Sequence, residues 1–498
     1  MTLGGTPEHQ TKAEGATYGR DQPGRPPRPG PPGRPAPVNL RHTVLTRAQS
    51  RGLQLVRFLY ADHGGIIRGK AAATEFLASR IDSGIGHTVA MMAMTMLDTL
   101  QPVDGMGPVG EVRIKPDPAT FVELPYAPGA GAMLADLVRP DGEPWAACAR
   151  TFLKQAIAAL AEAGYAMSAA FEPEFTLGRR EADPDYGVDR LVPVDDSLCY
   201  SVTGFHQSHD YAMELVRALN AQGLLVEHYY PELGAGQHEV SIRHAPALRS
   251  ADNHVLYRET VRGVAFRRGL WASLAPKPIA DQAGNGTHLH ASLTDLTADG
   301  SPGSVQVFAD PADRYGLSET GYHFIGGVLA HLPALVALTC GSVNSYRRLQ
   351  PQFWSSAYTV YGMENREAAI RICAPLRGDA ASSVNLELKP SDSSANPYLA
   401  LGGFIHAGLD GIRNRLDPGE AVNVDPATLS ESEREAAGAR RLPQSLTEAL
   451  DALAADDLLL SALGPLRSAG YLAVKRAEAA AFAERGAAWE CFQHFIRF

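Results

Sequence analysis

The sequence predicts an α+β protein in which a small mixed sheet precedes a longer part built of strands and amphipathic helices. Three observations lead to this prediction. LQLVRFLYADHGGIIRGKAA, residues 53–72, has the pattern of two strands joined by a Gly-Gly turn. FEPEF, residues 171–175, alternates apolar and acidic side chains as a strand does. Residues 208–222 and 252–269 have the apolar spacing of amphipathic helices.

The overall composition is that of a globular protein and argues against nucleic acid as the main partner. Hydrophobic residues make up 45% of the 498 residues and charged residues 20%, which is ordinary for a chain that buries a large core. The formal net charge is −10, whereas phosphate backbones are bound by basic faces. The five cysteines are scattered and include no CxxC pair, so neither a disulfide framework nor a zinc knuckle is indicated.

The first 42 residues are rich in Pro, Gly and Arg and contain few large apolar side chains. Such a segment cannot offset the entropy cost of ordering, so we predict a disordered tail at 1–42, either simply solvated or acting as a proline-rich ligand. No apolar run approaches the roughly 18–20 residues that span a bilayer, and the N-terminus lacks the apolar stretch of a secretion leader. We therefore expect a cytoplasmic protein without a membrane partner.

Two structured parts follow the tail, and we place their boundary after residue 145. Residues 43–145 hold the two strands, a helix that begins near Thr74, the methionine-rich run HTVAMMAMTML at 87–97, and further strands and turns. Residues 146–498 begin with a helix that leads into FEPEF and continue with strands and helices. After about Asn423 the chain becomes rich in Ala and Glu, and SLTE at 445–448 is typical of a helix capping box.

Four glutamates in two short segments are candidates for a metal site. Glu172 and Glu174 lie two apart in FEPEF and project from one strand face, while the flanking phenylalanines pack on the other. Glu232 and Glu239 flank the Gly-Ala-Gly segment of ELGAGQHE, which allows a tight turn that brings both near one point. Four carboxylates in one cavity repel each other unless cations share them. The simpler interpretation of the FEPEF pair is two exposed acids on an edge strand.

GNGTHLHASL, residues 284–293, contributes a glycine segment and two histidines. His288, His290 and Ser292 alternate along one strand, so they point to the same face. A lone histidine is more often a hydrogen-bonded core residue than a ligand, but this arrangement suits a metal ligand followed by nucleotide contacts. Gly284 and the glycine after it let backbone N–H groups approach a substrate closely.

Three arginines, a lysine and a further glutamate complete the polar inventory. NSYRRL and ENREAAIRI contain Arg348, Arg366 and Arg371, each of which alone could belong to a salt-bridged surface. NLELKP adds Glu387 and Lys389, which alternate with leucines. Guanidinium groups neutralise carboxylate and phosphate oxygens and hold their geometry. Together with the other glutamates and a histidine, this set fits phosphoryl transfer from ATP onto a carboxylate, with divalent ions clamping the ATP.

These motifs show a resemblance to the glutamine synthetase superfamily. FEPEF, ELGAGQHE, GNGTHLH, NSYRRL, NREAAIRI and ELKPSDSSANPYLALGG occur in the family's order and at about its spacing, and the likeness covers residues 50–495. The resemblance implies a small N-terminal β-grasp domain at 43–145. It implies, at 146–498, a catalytic domain with a curved antiparallel sheet flanked by helices. It further implies self-association into a dodecamer of two hexameric rings, with active sites between neighbouring subunits.

The resemblance also implies which residues hold the metal ions. Two or three divalent ions, Mg2+ or Mn2+, are expected in each site. The first ion would be held by Glu174, Glu232 and Glu239. The second ion, next to the ATP phosphates, would be held by Glu172, His288 and Glu387.

Other motif residues would contact the substrates. Four side chains are expected at ATP and the transferred phosphoryl group: His290, Ser292, Arg366 and Arg371. Three residues are expected at the glutamate substrate: Gly284, Arg348 and Lys389. The implied catalytic residues are Arg366, Arg371 and Glu232, the last of which is also a metal ligand.

Three departures from the ammonia-using members concern the substrates. Those enzymes bind ammonium with an Asp of an FDGSS-type segment, but the corresponding region here is the apolar run HTVAMMAMTML. They carry a flap glutamate six residues after the arginine of their NSYKR motif, where this chain has Trp354. Lys389 replaces an arginine, which keeps the charge but loses the guanidinium fork. Burying a bare ammonium beside methionine and tryptophan is unfavourable, whereas an organic amine gains from the same contacts.

The resulting prediction is an ATP-dependent ligase that joins the γ-carboxylate of L-glutamate to an organic amine through γ-glutamyl phosphate. The amine would be an alkylamine, a hydroxyalkylamine or an aromatic amine, selected by Trp354 and the run Met91–Met96. The sequence shows no further acids near Trp354, which favours a small or weakly charged amine over a polyamine. Three alternatives stay open: an ammonia-using glutamine synthetase, a ligase for another carboxylate, and a catalytically silent structural member that nevertheless retains all the metal ligands.

Overall fold

The computed structural model describes residues 39–376 and 378–498. Most of the predicted tail, residues 1–42, therefore lies outside the described residues. The first helix, α1, covers Leu40–Ser50, so helical structure begins at Leu40 rather than at the predicted Thr43. Its buried side chains are Val44 and Ala48, and its other residues are mostly polar, so composition alone does not mark its first residues.

The described N-terminal part contains α1, α2 and the strands of one mixed sheet. α2 covers Leu77–Ser83, and the strands are β1 Leu55–Ala61, β2 Ile67–Ala73, β3 Ile85–Thr88, β4 Glu111–Pro116, β5 Val122–Glu123 and β6 Ala130–Val138. β1 and β2 form the predicted hairpin, and Gly65 in its turn has a φ of +83°, a value that favours glycine. The methionine-rich run begins at the end of β3 and continues as a 3₁₀ helix, Val89–Ala93.

The N-terminal sheet has the strand order β2-β1-β6-β4-β3, with β5 paired to β6. β1 and β6 run parallel, whereas the other pairings in this sheet are antiparallel. A parallel central pair flanked by antiparallel strands, with a helix packed against the sheet, is the β-grasp arrangement that the family resemblance implies.

The larger part alternates helices and strands. Its helices are α3 Ala149–Glu162, α4 Val202–Ala221, α5 Ala247–Arg267, α6 Glu319–Thr339, α7 Ser345–Arg348, α8 Ala380–Ser383, α9 Pro397–Asn414, α10 Glu431–Ala436, α11 Leu446–Ala454, α12 Asp457–Leu463, α13 Pro465–Ala483 and α14 Ala487–Arg497. Its strands are β7 Tyr165–Ala182, β8 Asp189–Pro193, β9 Val226–Pro231, β10 Gln237–Ile242, β11 Ala245–Pro246, β12 Trp271–Ser273, β13 Thr287–Leu296, β14 Pro302–Gln306, β15 Tyr361–Met363, β16 Ile370–Ile372 and β17 Leu386–Leu388. α4 and α5 confirm the two predicted amphipathic helices, each with an earlier start.

The strands of the larger part form one sheet around the long strand β7. Its main path is β15-β16-β17-β13-β7-β10-β9, and β7 also pairs with β8, β11 and β12. β15 and β16 run parallel, while the strands beside β7 are antiparallel to it. α3 and α5 pack on β7, and α9 packs on both of these helices. This helix-flanked sheet and the smaller mixed sheet confirm the predicted α+β fold class.

Helix α6 has the length and composition of a candidate membrane span. Glu319–Thr339 is 21 residues long and apolar enough to cross a membrane. Its most apolar part is 72% buried inside the protein, where α6 packs against α9 and α11. The helix is therefore a core element, which fits a soluble protein. Glycines and Pro333 interrupt its apolar residues, so the sequence shows no long apolar run.

Polar contacts join the N-terminal sheet to the catalytic part. Arg150, near the start of α3, forms ion pairs with Asp117, Asp136 and Asp252, and its side chain is 2% exposed. Asn396, which caps α9, donates from its side chain to two carbonyls at the end of β1. Removing one partner of a buried ion pair leaves an uncompensated charge, so these contacts resist separation of the two parts.

Candidate active site

The side chains of β7 alternate as predicted. Phe171, Pro173 and Phe175 are buried, whereas Glu172 and Glu174 lie on the opposite, partly open face. The packed face fixes the register, because a slip by one residue would bury both carboxylates. The alternative interpretation of two acids on an edge strand is wrong, since β7 is paired with β13 on one side and β10 on the other.

The hairpin of β9 and β10 carries the second pair of glutamates. Its turn is the predicted Gly-Ala-Gly segment, and Gly236 there has a φ of +62°. A Cβ at this position would lie 2.4 Å from a backbone carbonyl of β7, so only glycine fits. Glu239 on β10 is the register partner of Glu174 on β7, and Glu232 lies between β9 and the turn.

Strand β13 lies on the other side of β7 and supplies the two histidines. His288 is the register partner of Glu172. His290 is the register partner of Glu387 on the next strand, β17. Ser292 continues the same alternation and is partly buried. The order of the strands in the sheet therefore brings the FEPEF, GNGTHLH and NLELKP motifs together.

Donor atoms from β7, β13 and β17 form a cluster that could hold a metal ion. Ligand atoms of Glu172, His290 and Glu387 all lie within 4.8 Å of one another. His288 is also close, because its Nδ1 is 3.6 Å from Glu172 and 3.3 Å from Glu387. The sequence-based hypothesis gave His288 to the metal and His290 to the nucleotide. The structure brings both rings to the same two carboxylates.

A hydrogen bond on the outer side of each imidazole determines which nitrogen faces the cluster. His290 Nδ1 lies 2.9 Å from the side-chain oxygen of Asn385 and donates to it, which directs Nε2 at Glu172, 3.3 Å away. His288 Nε2 accepts from the Arg348 guanidinium at 3.1 Å, so its Nδ1 faces the carboxylates. The sequence analysis did not identify Asn385, although this residue begins the NLELKP motif.

Glu387 is the most enclosed carboxylate of the cluster and is surrounded by cationic groups. It is 1% exposed, Lys389 Nζ lies 3.5 Å from its Oε1, and Arg371 Nε contacts its Oε2. Burial opposes ionisation, but Lys389 and His288 hold the pKa of Glu387 well below its usual range. Burial likewise disfavours charge on Glu172, yet hydrogen bonds with the two histidines hold the pKa of this carboxyl well below its ordinary value.

The remaining carboxyls lack such cations and repel one another. Burial and the charge of Glu174 raise the pKa of Glu232 to about 7. Burial and the neighbouring carboxylates raise the pKa of Glu239 well above its ordinary value. Gln237 donates to Glu174 at 2.9 Å, but a neutral amide supplies no compensating charge. Crowded carboxylate oxygens are the ligands that hard divalent cations prefer, so Glu174, Glu232 and Glu239 fit a metal site.

The crowding predicts that Glu232→Gln stabilises the metal-free protein at alkaline pH. The carboxyl titrates near 4.5 when unperturbed and near 7 in the fold, so the wild type loses stability as the pH rises between these values. The variant lacks this loss. In EDTA its unfolding free energy should therefore exceed that of the wild type by an amount that grows between pH 5 and 8, to roughly 1–2 kcal/mol for a partly open carboxyl.

Denaturant titration at several pH values measures this difference. Mg2+ should reverse the order, because it binds the wild-type ligand set more tightly and so stabilises that fold. Glu227→Gln, at an exposed carboxylate of β9 paired with Arg243, is the matched control and should show neither effect. A difference independent of pH would contradict the crowded arrangement.

Residues expected at the glutamate substrate lie beside the cluster. Arg348 and Lys389 are both buried, the latter against Glu387. The carbonyl of Gly284 accepts a hydrogen bond of 2.9 Å from Gln237, and a Cβ at Gly284 would lie 2.5 Å from another carbonyl. The N–H of Gly286 donates to Glu174 at 2.8 Å, so the glycine segment lies beside the carboxylates. Its approach to the glutamate substrate stays a prediction.

The two arginines expected at ATP have different surroundings. Arg371 contacts Glu387, whose charge outweighs the effect of burial and raises the pKa of the guanidinium. Arg366 is exposed and, among the residues that the structure describes, forms no ion pair. Burial and Glu232 raise the pKa of Tyr200 to about 12, and the nearby charge of Arg366 counters part of this rise. Since Tyr200 donates to Glu232 at 3.4 Å, Arg366 lies near that end of the site.

Trp354 lies on the loop between α7 and β15. Trp354 is 62% exposed and its φ is +58°. Its backbone N–H donates to the Glu367 carboxylate at 2.7 Å. On the same loop, Gln352 donates from its side chain to Asp425 at 3.2 Å. The expectation that no further acids lie near Trp354 is therefore wrong. Both carboxylates reach the loop from other segments, and neither could be placed there from sequence periodicity.

The methionine-rich run is in large part a packing element. Met92 and Met96 are 1% and 3% exposed. Met92 belongs to the core of the N-terminal sheet, and Met96 packs against Phe482. Met91 and Met94 are partly exposed. The prediction that the whole run selects the amine is wrong for Met92 and Met96, because their side chains are enclosed.

Fold and site together define an enzyme that places divalent-cation ligands beside basic groups suited to phosphates and carboxylates. A sequence model described as "Glutamine synthetase, catalytic domain" matches residues 146–494, and one described as "Glutamine synthetase N-terminal domain" matches residues 39–145. The chain belongs to the glutamine synthetase family, which confirms the resemblance inferred from its motifs.

Known proteins similar to this chain include one named as a gamma-glutamylpolyamine synthetase and others named as glutamine synthetases. It is 38% identical over 435 residues to "Gamma-glutamylpolyamine synthetase GlnA3" of Streptomyces coelicolor, covering 86% of this chain and 90% of that protein. It is 33% identical over 462 residues to a glutamine synthetase of Halobacterium salinarum, covering 91% and 96%. The solved structure described as "GmaS/ADP complex" has a TM-score of 0.76 and 30% identity, covering 90% of this chain and 98% of that chain.

Family membership establishes the general chemistry. The protein is an ATP-dependent ligase of the glutamine synthetase family. Members of this family use ATP and divalent metal ions, and they bind glutamate together with an amine or ammonia.

Proposed function

We propose that this protein joins the γ-carboxylate of L-glutamate to an organic amine, using ATP and passing through γ-glutamyl phosphate. The observation that carries the proposal is Trp354, an aromatic side chain that is 62% exposed on a loop beside the site. Ammonia-using members have a carboxylate at this position. The similarity to a protein named as a gamma-glutamylpolyamine synthetase supports the same conclusion.

The six predicted metal ligands are assigned to two positions. One is formed by Glu174, Glu232 and Glu239, and the other by Glu172, His288 and Glu387. Divalent ions bound there would offset the negative charges of the ATP phosphates and the substrate carboxylate. The crowding of Glu232 and Glu239 supports the first assignment. The contacts of His288 Nδ1 with Glu172 and Glu387 support the second, while His290 lies close to the same two carboxylates.

The basic residues are assigned to the anionic substrates. Arg371 and Arg366 stabilise the transferred phosphoryl group, whose charge is spread over three oxygens in the transition state. His290, which belongs to the donor cluster, and Ser292, which follows on the same face of β13, contact the nucleotide. Glutamate is held by three residues beside the carboxylates: Gly284, Arg348 and Lys389. Holding both anions in place removes much of the entropy cost of their encounter.

The loop with Trp354 provides the surface for the amine. Trp354 is 62% exposed, so it can still bury apolar area when a ligand binds. Each methylene buried against such a surface contributes about 0.8 kcal/mol, roughly a fourfold gain in affinity. Glu367 and Asp425 at this loop also accommodate positive charge, so diamines and polyamines join the alkyl, hydroxyalkyl and aromatic amines as candidates.

The ammonia-using alternative is supported by the similarity to the Halobacterium glutamine synthetase. It predicts turnover with ammonia and little gain from organic amines. A catalytically silent member is disfavoured, because all six ligand side chains are present and four donors already converge. A ligase for another carboxylate remains a candidate through Lys389, which offers a point charge in place of a guanidinium fork.

Three further proposals follow from the family. We propose domains at 43–145 and 146–498, a cytoplasmic location, and assembly into a dodecamer of two hexameric rings. Mass photometry of the purified protein tests the assembly directly. A monomer as the main species would contradict sites that are shared between subunits.

Phosphate release with ATP, Mg2+ and L-glutamate is expected to respond to the carbon body of the amine. The panel comprises ammonia and alkyl, hydroxyalkyl, di-, poly- and aromatic amines, with mass spectrometry of the products. Along the alkyl series kcat/KM should rise by up to about fourfold per methylene until the surface is filled. Turnover with ammonia alone would contradict the proposal.

Trp354→Ala should flatten this dependence on chain length without abolishing turnover. Phe353→Ala is the matched control, since Phe353 is also an exposed aromatic residue of this loop but lies against Lys277. An unchanged chain-length dependence in Trp354→Ala would remove Trp354 from the amine site.

A further inference from the structure

The loop that carries Trp354 is held to the body of the site by two buried serines. Ser355 Oγ donates to the carbonyl of Arg348 at 2.8 Å, and Ser356 Oγ donates to that of Ala368 at 2.7 Å. Both serines are completely buried. Because the loop is fixed at these points, the fold itself determines where Trp354 stands relative to Arg348.

Glu367 is the carboxylate in contact with this loop. Its Oε1 accepts a hydrogen bond of 2.7 Å from the backbone N–H of Trp354, and its side chain is partly buried. Within residues 39–376 and 378–498, no ion pair compensates its charge. It also follows Arg366, the residue assigned to the phosphoryl group. Glu367 is therefore next in sequence to the proposed phosphoryl contact, Arg366, and it touches the loop that carries the proposed amine surface.

The charged groups around Glu367 support an active-site position. Burial is the main cause that raises the pKa of Glu367, and the negative charge of Asp425 adds to this rise. The hydrogen bond from the backbone N–H of Trp354 and the positive charge of Lys389 lower the pKa and so offset part of the rise. Lys389 also contacts Glu387 in the metal cluster at 3.5 Å. One cation thus lies within electrostatic range of both Glu367 and the proposed metal site. A raised pKa makes a partly buried carboxylate a stronger proton acceptor.

We propose that Glu367 is the carboxylate of the amine subsite, where it binds the entering ammonium group and accepts its proton. The inference rests on the proposed ligase function and adds a substrate class to it. Trp354 offers an aromatic face to the carbon body, and Glu367 offers opposite charge to the nitrogen. The combination fits a primary amine that is protonated at neutral pH, and it disfavours weakly basic aromatic amines.

The amine enters as an ammonium ion and loses two protons during the reaction. The ammonium R-NH3+ gives one proton to the Glu367 carboxylate and becomes R-NH2. Its nitrogen lone pair attacks the carbonyl carbon of γ-glutamyl phosphate, the C–N bond forms, and the bond from that carbon to the phosphate oxygen breaks. The leaving phosphate takes the second proton of the nitrogen. Glu367 later releases its proton to solvent.

Glu367→Gln is expected to separate protonated from unprotonated nucleophiles. Removing a general base lowers the rate by about 10²-fold or more, so kcat with an alkylammonium or with ammonium should fall by at least this factor. Hydroxylamine is mostly uncharged at neutral pH and needs no base to become nucleophilic. Formation of γ-glutamyl hydroxamate by the variant should therefore stay near the wild-type rate.

Glu364→Gln makes the same chemical change at an exposed carboxylate of the same segment and should leave all three activities unchanged. Glu367→Asp should restore part of the activity with ammonium nucleophiles. Equal losses with hydroxylamine and ammonium nucleophiles, or no loss with either, would overturn the role of Glu367. If the wild type uses ammonium but no alkylamine, the proposed function fails, and the ratio of ammonium to hydroxylamine activity still decides the role of Glu367.

Discussion

Glu172→Gln is expected to lower turnover by about 10³-fold or more while the protein remains folded. Glu172 contributes to the donor cluster with His290 and Glu387, and it also lies 3.6 Å from His288. A divalent ion supplies several kcal/mol of charge stabilisation, and each loss of about 1.4 kcal/mol reduces the rate tenfold. The amide keeps the shape of the side chain but removes the charge that holds the ion.

The measurement pairs turnover with thermal unfolding in EDTA and in Mg2+ or Mn2+. The metal ions should raise the unfolding temperature of the wild type and should raise that of Glu172→Gln much less. Glu227→Gln, which changes an exposed carboxylate on β9, should behave as the wild type in both assays. Wild-type turnover and a wild-type metal effect in Glu172→Gln would exclude this residue from the metal site.

The parts of the site that lie on regular strands could be predicted from the sequence. A period of two places Glu172 and Glu174 on one face of β7, and the buried Pro173 between them and the phenylalanines beside them fix that face. The Gly-Ala-Gly turn is likewise readable, because Gly236 adopts a conformation that favours glycine. These local rules account for the placement of the four glutamates on their strands and turn, whereas the proposed set of six ligands comes from the family resemblance.

Contacts between loops could not be predicted in the same way. Glu367 accepts from Trp354, and Asp425 accepts from Gln352, through tertiary packing that has no sequence period. The absence of acids from the sequence around Trp354 therefore led to a wrong expectation about charge. Because two carboxylates contact this loop, diamines and polyamines return as candidate substrates in the proposed function.

Sequence patterns also cannot distinguish an apolar surface from an apolar core. The run Met91–Met96 is apolar throughout, but Met92 and Met96 are enclosed by the protein. Similarly, His288 and His290 share one strand face, and the hydrogen bonds from Arg348 and to Asn385 distinguish the two rings. Such outer contacts determine which nitrogen is available as a ligand, and they depend on neighbours distant in the chain.

Arg371→Ala is expected to lower the rate of phosphoryl transfer by about 10³-fold or more, the effect typical of an arginine that stabilises a transferred phosphoryl group. Arg371→Lys keeps the charge but loses the planar fork, so its loss should be smaller, between about 10- and 10²-fold. The affected step is the first one. Glutamate-dependent ADP formation should therefore fall as strongly with hydroxylamine as with an organic amine, unlike the effect of Glu367→Gln.

A purely structural role of Arg371 makes a different prediction, because its guanidinium contacts the buried Glu387. If neutralising Glu387 were its only function, Arg371→Lys would keep full activity. In Arg371→Ala the loss of rate would then be matched by a proportionate loss of stability. Arg347→Lys is the matched control: Arg347 also pairs with a buried carboxylate, Glu490 at 2.8 Å, but lies outside the proposed phosphoryl site. Full activity in Arg371→Lys together with unchanged Arg347→Lys would assign Arg371 to packing, whereas a loss of rate at wild-type stability would place its guanidinium at the transferred phosphoryl group.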